Sequence, residues 1–380
     1  MSYSRRHFLR HSSMGLAMLS AIKASAVAKA LGEVGLKDYF RRDFKIGTAI
    51  GDDMMKTLPA DYEQLITREF NAITMENNMK WEHVHPRPGV WEWSLPDKFV
   101  DFGVRNDMYT VGHVLVWHSQ TPKWVFENVN GKPLSREALL NSMQQHIATV
   151  VGRYKDRIAA WDVVNEAIEE ENKGWRKSPW FNIIGPEFMV KAFIFANEVD
   201  PKAHLLYNDY NEHAPEKRAF IVDFVNKFKK QGIPIHGIGM QGHVGLDYPG
   251  IRDYEKSIEA YAATGMRVHI TELEVDVLPA AWDHIGAEIS TNFPHSKRLD
   301  PYTRGLPQKI EDQLARRYEE FFKLFLKHRD KIDRITLWGT GDAESWKNDF
   351  PVKGRTNYPL LFDRQYVKKP AYDAVIKLKK

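Results

Sequence analysis

Short runs rich in β-branched and aromatic residues alternate along the chain with stretches whose apolar positions recur at helical spacing. Residues 44–51, 70–76, 108–117, 159–167, 204–211, 235–243, 267–276 and 334–342 read as strands. Residues 136–154, 186–199, 215–231, 254–264 and 308–328 read as helices between them. The last carries Leu314, Tyr318, Phe321, Phe322 and Phe325 on one face, a core-packing stripe. Strands separated by helices pair in parallel, and about eight such units close into a single (β/α)8 TIM barrel of the α/β class. An open doubly wound sheet is the alternative. No low-complexity linker interrupts residues 31–380, which are read as one domain. The longest stretch without a pattern, 277–307, follows the seventh strand and so falls on the catalytic face of a barrel.

Polar residues gather where these strands end. Strand two closes on Glu76 and Asn77, with Lys80 beyond; strand three carries His113, then Trp117 and Gln120. Strand four ends Asp162-Val163-Val164-Asn165-Glu166, and strand five Asn208-Asp209-Tyr210-Asn211. Strand six gives Gln241 and His243; strand seven gives His269, Glu272 and Glu274; the last gives Trp338 and, after a short loop, Trp346. One buried polar group is ordinary, but polar ends on nearly every strand point to one shared site. Glu166 and Glu272 fall on opposite sides of the barrel mouth. Paired carboxylates across a cleft are what glycoside hydrolysis needs, one as proton donor and the other as nucleophile or base. A gap of roughly 5–5.5 Å would mean retention and roughly 6.5–9.5 Å inversion.

Composition narrows the choice. With no cysteine, disulfide scaffolds, thiolate metal sites and a Cys nucleophile are excluded. A hydrophobic share of 43% supports a large core, and 54 basic against 50 acidic residues gives no electrostatic case for a nucleic-acid partner. The 11 Trp beside 15 Tyr and 20 Phe suit either a core or a site that stacks flat ligands. Competing motifs are weak. Gly237-Ile238-Gly239-Met240-Gln241-Gly242 fits G-x-G-x-x-G but lies inside a strand, and His83 with His85 sits in a proline-rich turn without H-E-x-x-H. Neither a nucleophile elbow nor a Walker loop is present, and no metal or cofactor is expected.

Residues 1–30 contain five basic residues and no acid; without them the formal charge falls from +4 to −1. A basic start, a weakly apolar stretch from residue 14 to 28 and small residues at Ala24-Ser25-Ala26 read as a secretory leader. Ser4-Arg5-Arg6-His7-Phe8-Leu9-Arg10 resembles the twin-arginine export motif, which implies a periplasmic or secreted protein with no membrane association after processing.

Four motifs resemble family 10 glycoside hydrolases, mostly endo-β-1,4-xylanases, over essentially the whole chain from Phe44 onward. They are Phe70-Asn71-Ala72-Ile73-Thr74-Met75-Glu76-Asn77, Gly112-His113-Val114-Leu115-Val116-Trp117-His118, Trp161-Asp162-Val163-Val164-Asn165-Glu166-Ala167 and Ile270-Thr271-Glu272-Leu273. The resemblance implies internal cleavage of xylan and xylo-oligosaccharides with retention, with Glu166 as acid/base and Glu272 as nucleophile; a monomer is expected. It further implies that Asn165 holds the sugar 2-hydroxyl, that His243 orients the nucleophile, and that Gln241 and His113 line the same subsite. Glu76, Asn77 and Lys80 match residues that hold the non-reducing-side sugars. Trp117, Trp338 and Trp346 match aromatic walls, and Gln120 a polar contact beside them. Tyr210 and Asn211 match the leaving-group side. Glu274 departs from the family, which usually has Asp there to support the histidine, so the geometry of that support is open. β-1,4-glucan or mannan as substrate, or a silent carbohydrate-binding barrel, are the other readings.

Overall fold

The structure, a computed structural model, describes residues 34–169, 174–280 and 292–380. The leader read at 1–30 lies outside these, as does part of the 277–307 loop. Nine strands form the sheet: β1 (Lys45–Ile50), β2 (Ala72–Met75), β3 (Tyr109–Val116), β4 (Ala160–Asn165), β5 (His204–Asp209), β6 (Gly237–Met240), β7 (His243–Gly245), β8 (Arg267–Asp276) and β9 (Ile332–Leu337). All pairings are parallel, β1 joins both β2 and β9, and β6 pairs with β8, so the sheet closes on itself. β6 and β7 both lie along β8 and are one barrel strand interrupted at Gln241-Gly242. The barrel therefore has eight strands, and each expected strand is present, the last ending at Leu337, five residues before its expected end.

Helices return the chain between strands: α1 (Ala60–Glu69), α2 (Ser94–Arg105), α3 (Arg136–Arg153), α4 (Glu187–Val199), α5 (Pro215–Lys230), α6 (Ile251–Ala263), α7 (Gln308–Lys327) and α8 (Pro370–Lys377). Ser135 caps α3 by accepting from the Ala138 N–H, and Pro215 and Pro370 begin α5 and α8, where a missing N–H costs nothing. The aromatic stripe of α7 is buried as expected, with Phe321 edge-on to Tyr254 of α6 at 5.1 Å. This helix–strand interface is the main core. Inside the barrel Val111, Ala160 and Leu206 form a second, small apolar cluster.

Two register shifts decide what faces the upper lumen. In β4, Asp162 pairs with Leu206 while Val164 pairs with Tyr207; in β8, Ile270 pairs with Ile335 while Leu273 pairs with Leu337. Each inserts one extra residue, and one residue reverses the alternation of side chains. Asp162 and Asn165 can thus share the lumen, as can Thr271 and Glu272. Gly239 is required beside them: a Cβ there would come within 2.3 Å of Asn208 Oδ1. The glycines of the G-x-G-x-x-G match serve barrel packing.

Candidate active site

Glu166 follows the end of β4 with φ of 56°, a left-handed backbone that turns its side chain back across the barrel mouth. Its Oε2 accepts from Trp117 Nε1 at 2.8 Å, and its Oε1 from Gln241 Nε2 at 2.9 Å and Asn165 Nδ2 at 3.1 Å. Burial raises its pKa; the donors from Gln241 and Trp117 restrain the rise. Glu272 accepts from Asn208 Nδ2 at 2.8 Å on Oε1 and contacts His243 Nε2 at 3.2 Å through Oε2. Burial alone would raise Glu272 as well. The His243 hydrogen bond, the positive fields of His113 and His243, and the Asn208 amide outweigh it, so its pKa is lowered.

The two carboxylates are joined through amides. Asn208 Nδ2 also donates to Asn165 Oδ1 at 3.0 Å, and Asn165 in turn donates to Glu166. Thr271 Oγ1 donates to Asn208 Oδ1 at 2.6 Å, fixing which way that amide points. Two neighbouring acids whose surroundings drive their pKa values apart are the signature of a divided acid–base task.

His243 lies between two carboxylates. Burial lowers its pKa, but hydrogen bonds to Glu272 and Glu274 dominate and raise it to about 9. At neutral pH it is an imidazolium donating from both nitrogens. Glu274, one methylene longer than the expected Asp, still reaches His243 Nδ1 at 2.8 Å, and the same Oε1 accepts from Trp346 Nε1 at 2.8 Å. The open question about the support thus has a geometric answer: it is retained, and it also ties down Trp346.

Around this pair stand the other expected residues. Lys80 Nζ donates to Asn77 Oδ1 at 2.9 Å and Gln120 Oε1 at 2.8 Å, and sits 5.0 Å over the Trp117 ring. Burial lowers the Lys80 pKa against the pull of Glu76, while burial raises Glu76 to about 7 against the pull of Lys80. His113 pairs with Asp162 at 2.9 Å, and its ring meets Trp338 edge-on at 5.5 Å. Trp338 also lies edge-on to His243 at 6.4 Å, and Trp346 stacks on Phe350 at 4.9 Å. Tyr210 is held by Arg176 Nη2 at 2.9 Å, and Arg176 Nε donates to the Glu166 carbonyl at 2.9 Å. Asn211 accepts from the Tyr248 hydroxyl at 3.5 Å, farther from the acids.

Sequence reasoning missed the roles of Asn208 and Arg176. Asn208 was visible only as one of several polar residues ending strand five. Arg176 lies in a loop without periodicity, which carried no signal. One expectation is corrected: His269 does not join this cluster. It lines the cavity at the opposite mouth, because its place near the start of β8 outweighs its polarity. His85, set aside as structural, lies in an aromatic stack, 3.7 Å from the Trp91 ring. The described part of the 277–307 loop braces the segment bearing Trp346: Asp300 accepts from the Thr356 N–H at 3.0 Å, and Tyr358 donates to the Tyr302 carbonyl at 2.8 Å.

The family model for glycosyl hydrolase family 10 matches residues 35–378. Endo-1,4-beta-xylanase A of Xylanibacter ruminicola is 44% identical over 92% of this chain and 95% of its own length. An endo-1,4-beta-xylanase of Geobacillus stearothermophilus is 42% identical over 90% and 98%. Among solved structures, a GH10 endoxylanase from a sugarcane soil metagenome is similar with a TM-score of 0.87 at 56% identity, over 90% of this chain and 100% of that one. Xylanase XynB of Paenibacillus barcinonensis, complexed with a conduramine derivative, has a TM-score of 0.82 at 38% identity, over 91% and 98%.

Proposed function

We propose, from the premise that this chain belongs to glycosyl hydrolase family 10, that it is an endo-1,4-β-xylanase that retains configuration, with Glu272 as nucleophile and Glu166 as acid/base. The observation that carries this reading is the pair of opposed pKa shifts on two carboxylates linked through Asn165 and Asn208.

In the first step Glu166, protonated, gives its proton to the glycosidic oxygen while Glu272 attacks the anomeric carbon. The leaving chain departs, and the sugar is held as an ester on Glu272. Ester formation removes the Glu272 charge, which lowers the Glu166 pKa and lets it take a proton from water. That water attacks the anomeric carbon from the face the leaving group vacated, and Glu272 is released as carboxylate. Asn165 is placed for the sugar 2-hydroxyl, and the Trp117 and Trp338 rings for its apolar faces. Glu76, Asn77, Lys80 and Gln120 supply polar contacts on the non-reducing side, and Tyr210 with Asn211 on the leaving side. The direct test is product analysis on polymeric xylan. Internal cleavage with β-anomers first formed is expected; α-anomers, or release from cellulose or mannan in place of xylan, would overturn the reading.

The pH dependence follows from the same shifts. Activity requires ionised Glu272 and protonated Glu166, so kcat/KM should rise with pH through the lowered pKa of Glu272 and fall through the raised pKa of Glu166. Trp117→Phe removes an N–H that favours the charged form of Glu166. The alkaline limb should move to higher pH and the acid limb stay; an alkaline limb moving downward would contradict the assignment.

Trp346, fixed by Glu274 and Phe350, stands for the wall that crowds a hydroxymethyl group, which glucose carries and xylose lacks. Discrimination by one such group is worth ~1–3 kcal/mol. Trp346→Ala should therefore raise cello-oligosaccharide hydrolysis relative to xylo-oligosaccharide hydrolysis by roughly tenfold or more, read as a ratio of kcat/KM values. An unchanged ratio would remove Trp346 from that role. The proposal extends to a leader over residues 1–30, export by the twin-arginine route to the periplasm or beyond, and a monomeric barrel over 31–380. No helix among the described residues is long and apolar enough to cross a membrane.

A further inference from the structure

The amino-terminal mouth of the barrel, opposite the two glutamates, is built from residues the proposed chemistry does not use. Lys45, Tyr109, Arg267, His269 and Arg334 line a polar cavity there of about 440 Å³. We propose that this cavity is a binding site for a tetrahedral oxyanion of phosphate size.

Arg334 carries the argument. It is 1% exposed, and its Nη1 is taken up by Thr336 Oγ1 at 2.5 Å and Thr74 Oγ1 at 3.5 Å. Its Nε and Nη2 have no hydrogen-bond partner among the described residues, and neither has either ring nitrogen of His269, also 1% exposed. Buried donors without acceptors are rare in folded proteins and call for an occupant. Arg334 offers the planar N–H fork that matches an oxyanion.

The local charge selects the sign of that occupant. The two acids on the cavity wall already have their own cations. Asp43 lies 2.7 Å from Lys379 Nζ, and Asp333 Oδ1 accepts from Arg267 Nε at 2.7 Å. The fields of Asp162, Glu272 and Asp333 reach Arg334, and Lys45, with Arg41 and Arg42 at the rim, adds further positive charge around the polar space. A cation has a weaker claim. His204, His269 and Asp333 place ligand atoms within 4.8 Å of one another, but the Arg267 and Arg334 guanidiniums beside them oppose a divalent ion.

The test is calorimetric melting of the full chain in inorganic phosphate, against chloride at matched ionic strength and pH. A ligand bound only by the folded state raises the melting temperature by mass action, here by about 2–5 °C at a phosphate concentration tens of times its dissociation constant. Arg334→Gln should abolish the rise. Lys45→Gln, at an exposed rim position, should reduce it, and keeps the test decisive if the buried variant does not fold. A wild-type protein with no rise beyond the chloride control would overturn the proposal, and so would a rise undiminished in the folded variants. A rise with zinc and none with phosphate would also overturn it, in favour of the His204, His269 and Asp333 cluster.

Discussion

Glu272→Ala should lower xylan turnover on the order of 10^4- to 10^6-fold, the scale on which removal of a nucleophile acts. On the proposed reading the variant lacks the group that attacks the anomeric carbon from the face opposite the leaving oxygen. His243 Nε2 loses its acceptor and Asn208 Nδ2 keeps only Asn165 Oδ1, so the variant's melting temperature should be measured beside its activity. Binding of xylo-oligosaccharides should persist, because the residues proposed to hold the flanking sugars are untouched. Azide or formate can enter the vacated space and attack in place of the carboxylate, giving products of inverted configuration. A Glu272→Ala protein with near wild-type turnover would end the nucleophile assignment.

Glu166→Ala should divide substrates by their leaving groups. Xylan and xylo-oligosaccharides leave as poor alkoxides and need the proton, so their turnover should fall about 10^2- to 10^4-fold. Aryl xylobiosides with acidic phenols need no proton in the first step. They should show a burst of phenol followed by slow turnover, because the ester on Glu272 now lacks a base to activate water. Azide needs no base either, and should speed the second step and leave a β-glycosyl azide. Equal loss on both substrates, with no burst and no response to azide, would mean that Glu166 is not the acid/base.

The alternation of strands and helices was legible because parallel barrel strands are buried on the outer face and bounded by helices with clear apolar stripes. The five helices read between them, from α3 to α7, appear within three residues of their expected ends. The polar strand ends were legible for a related reason. A core does not need Glu166, Gln241, His243 and Glu272, so their presence at the ends of strands had to mean something else. The register shifts in β4 and β8 were not legible. A strict period of two would have set Glu272 on the same face as Ile270, and only pairing with β9 reveals the extra residue. Asn208 could not be told from a turn-forming asparagine until its amide was seen to bridge Asn165 and Glu272. His269 was misplaced because residue type alone does not say at which end of a ten-residue strand a side chain lies. The tryptophan excess also divides in a way composition cannot show. Trp81, Trp161 and Trp180 are buried in the core, whereas Trp117, Trp338 and Trp346 face the cleft.

Glu274 illustrates how far a single methylene can be absorbed. The longer carboxylate keeps its bond to His243 and accepts from Trp346 through the same oxygen, coupling the histidine beside Glu272 to the wall proposed to select the sugar. Its second oxygen is buried without a partner among the described residues.

The central claim is that a covalent glycosyl ester forms on Glu272. It is tested most directly by incubating the protein with a 2-deoxy-2-fluoro-xylobioside bearing an activated leaving group, then measuring intact and peptide masses. The fluorine slows both steps and the good leaving group restores the first, so the ester should accumulate. The account predicts one fluoroxylobiosyl adduct per chain, on the peptide containing Glu272, with activity lost in proportion. An unlabelled protein that turns the probe over to an α-product, or an adduct on any other residue, would contradict it.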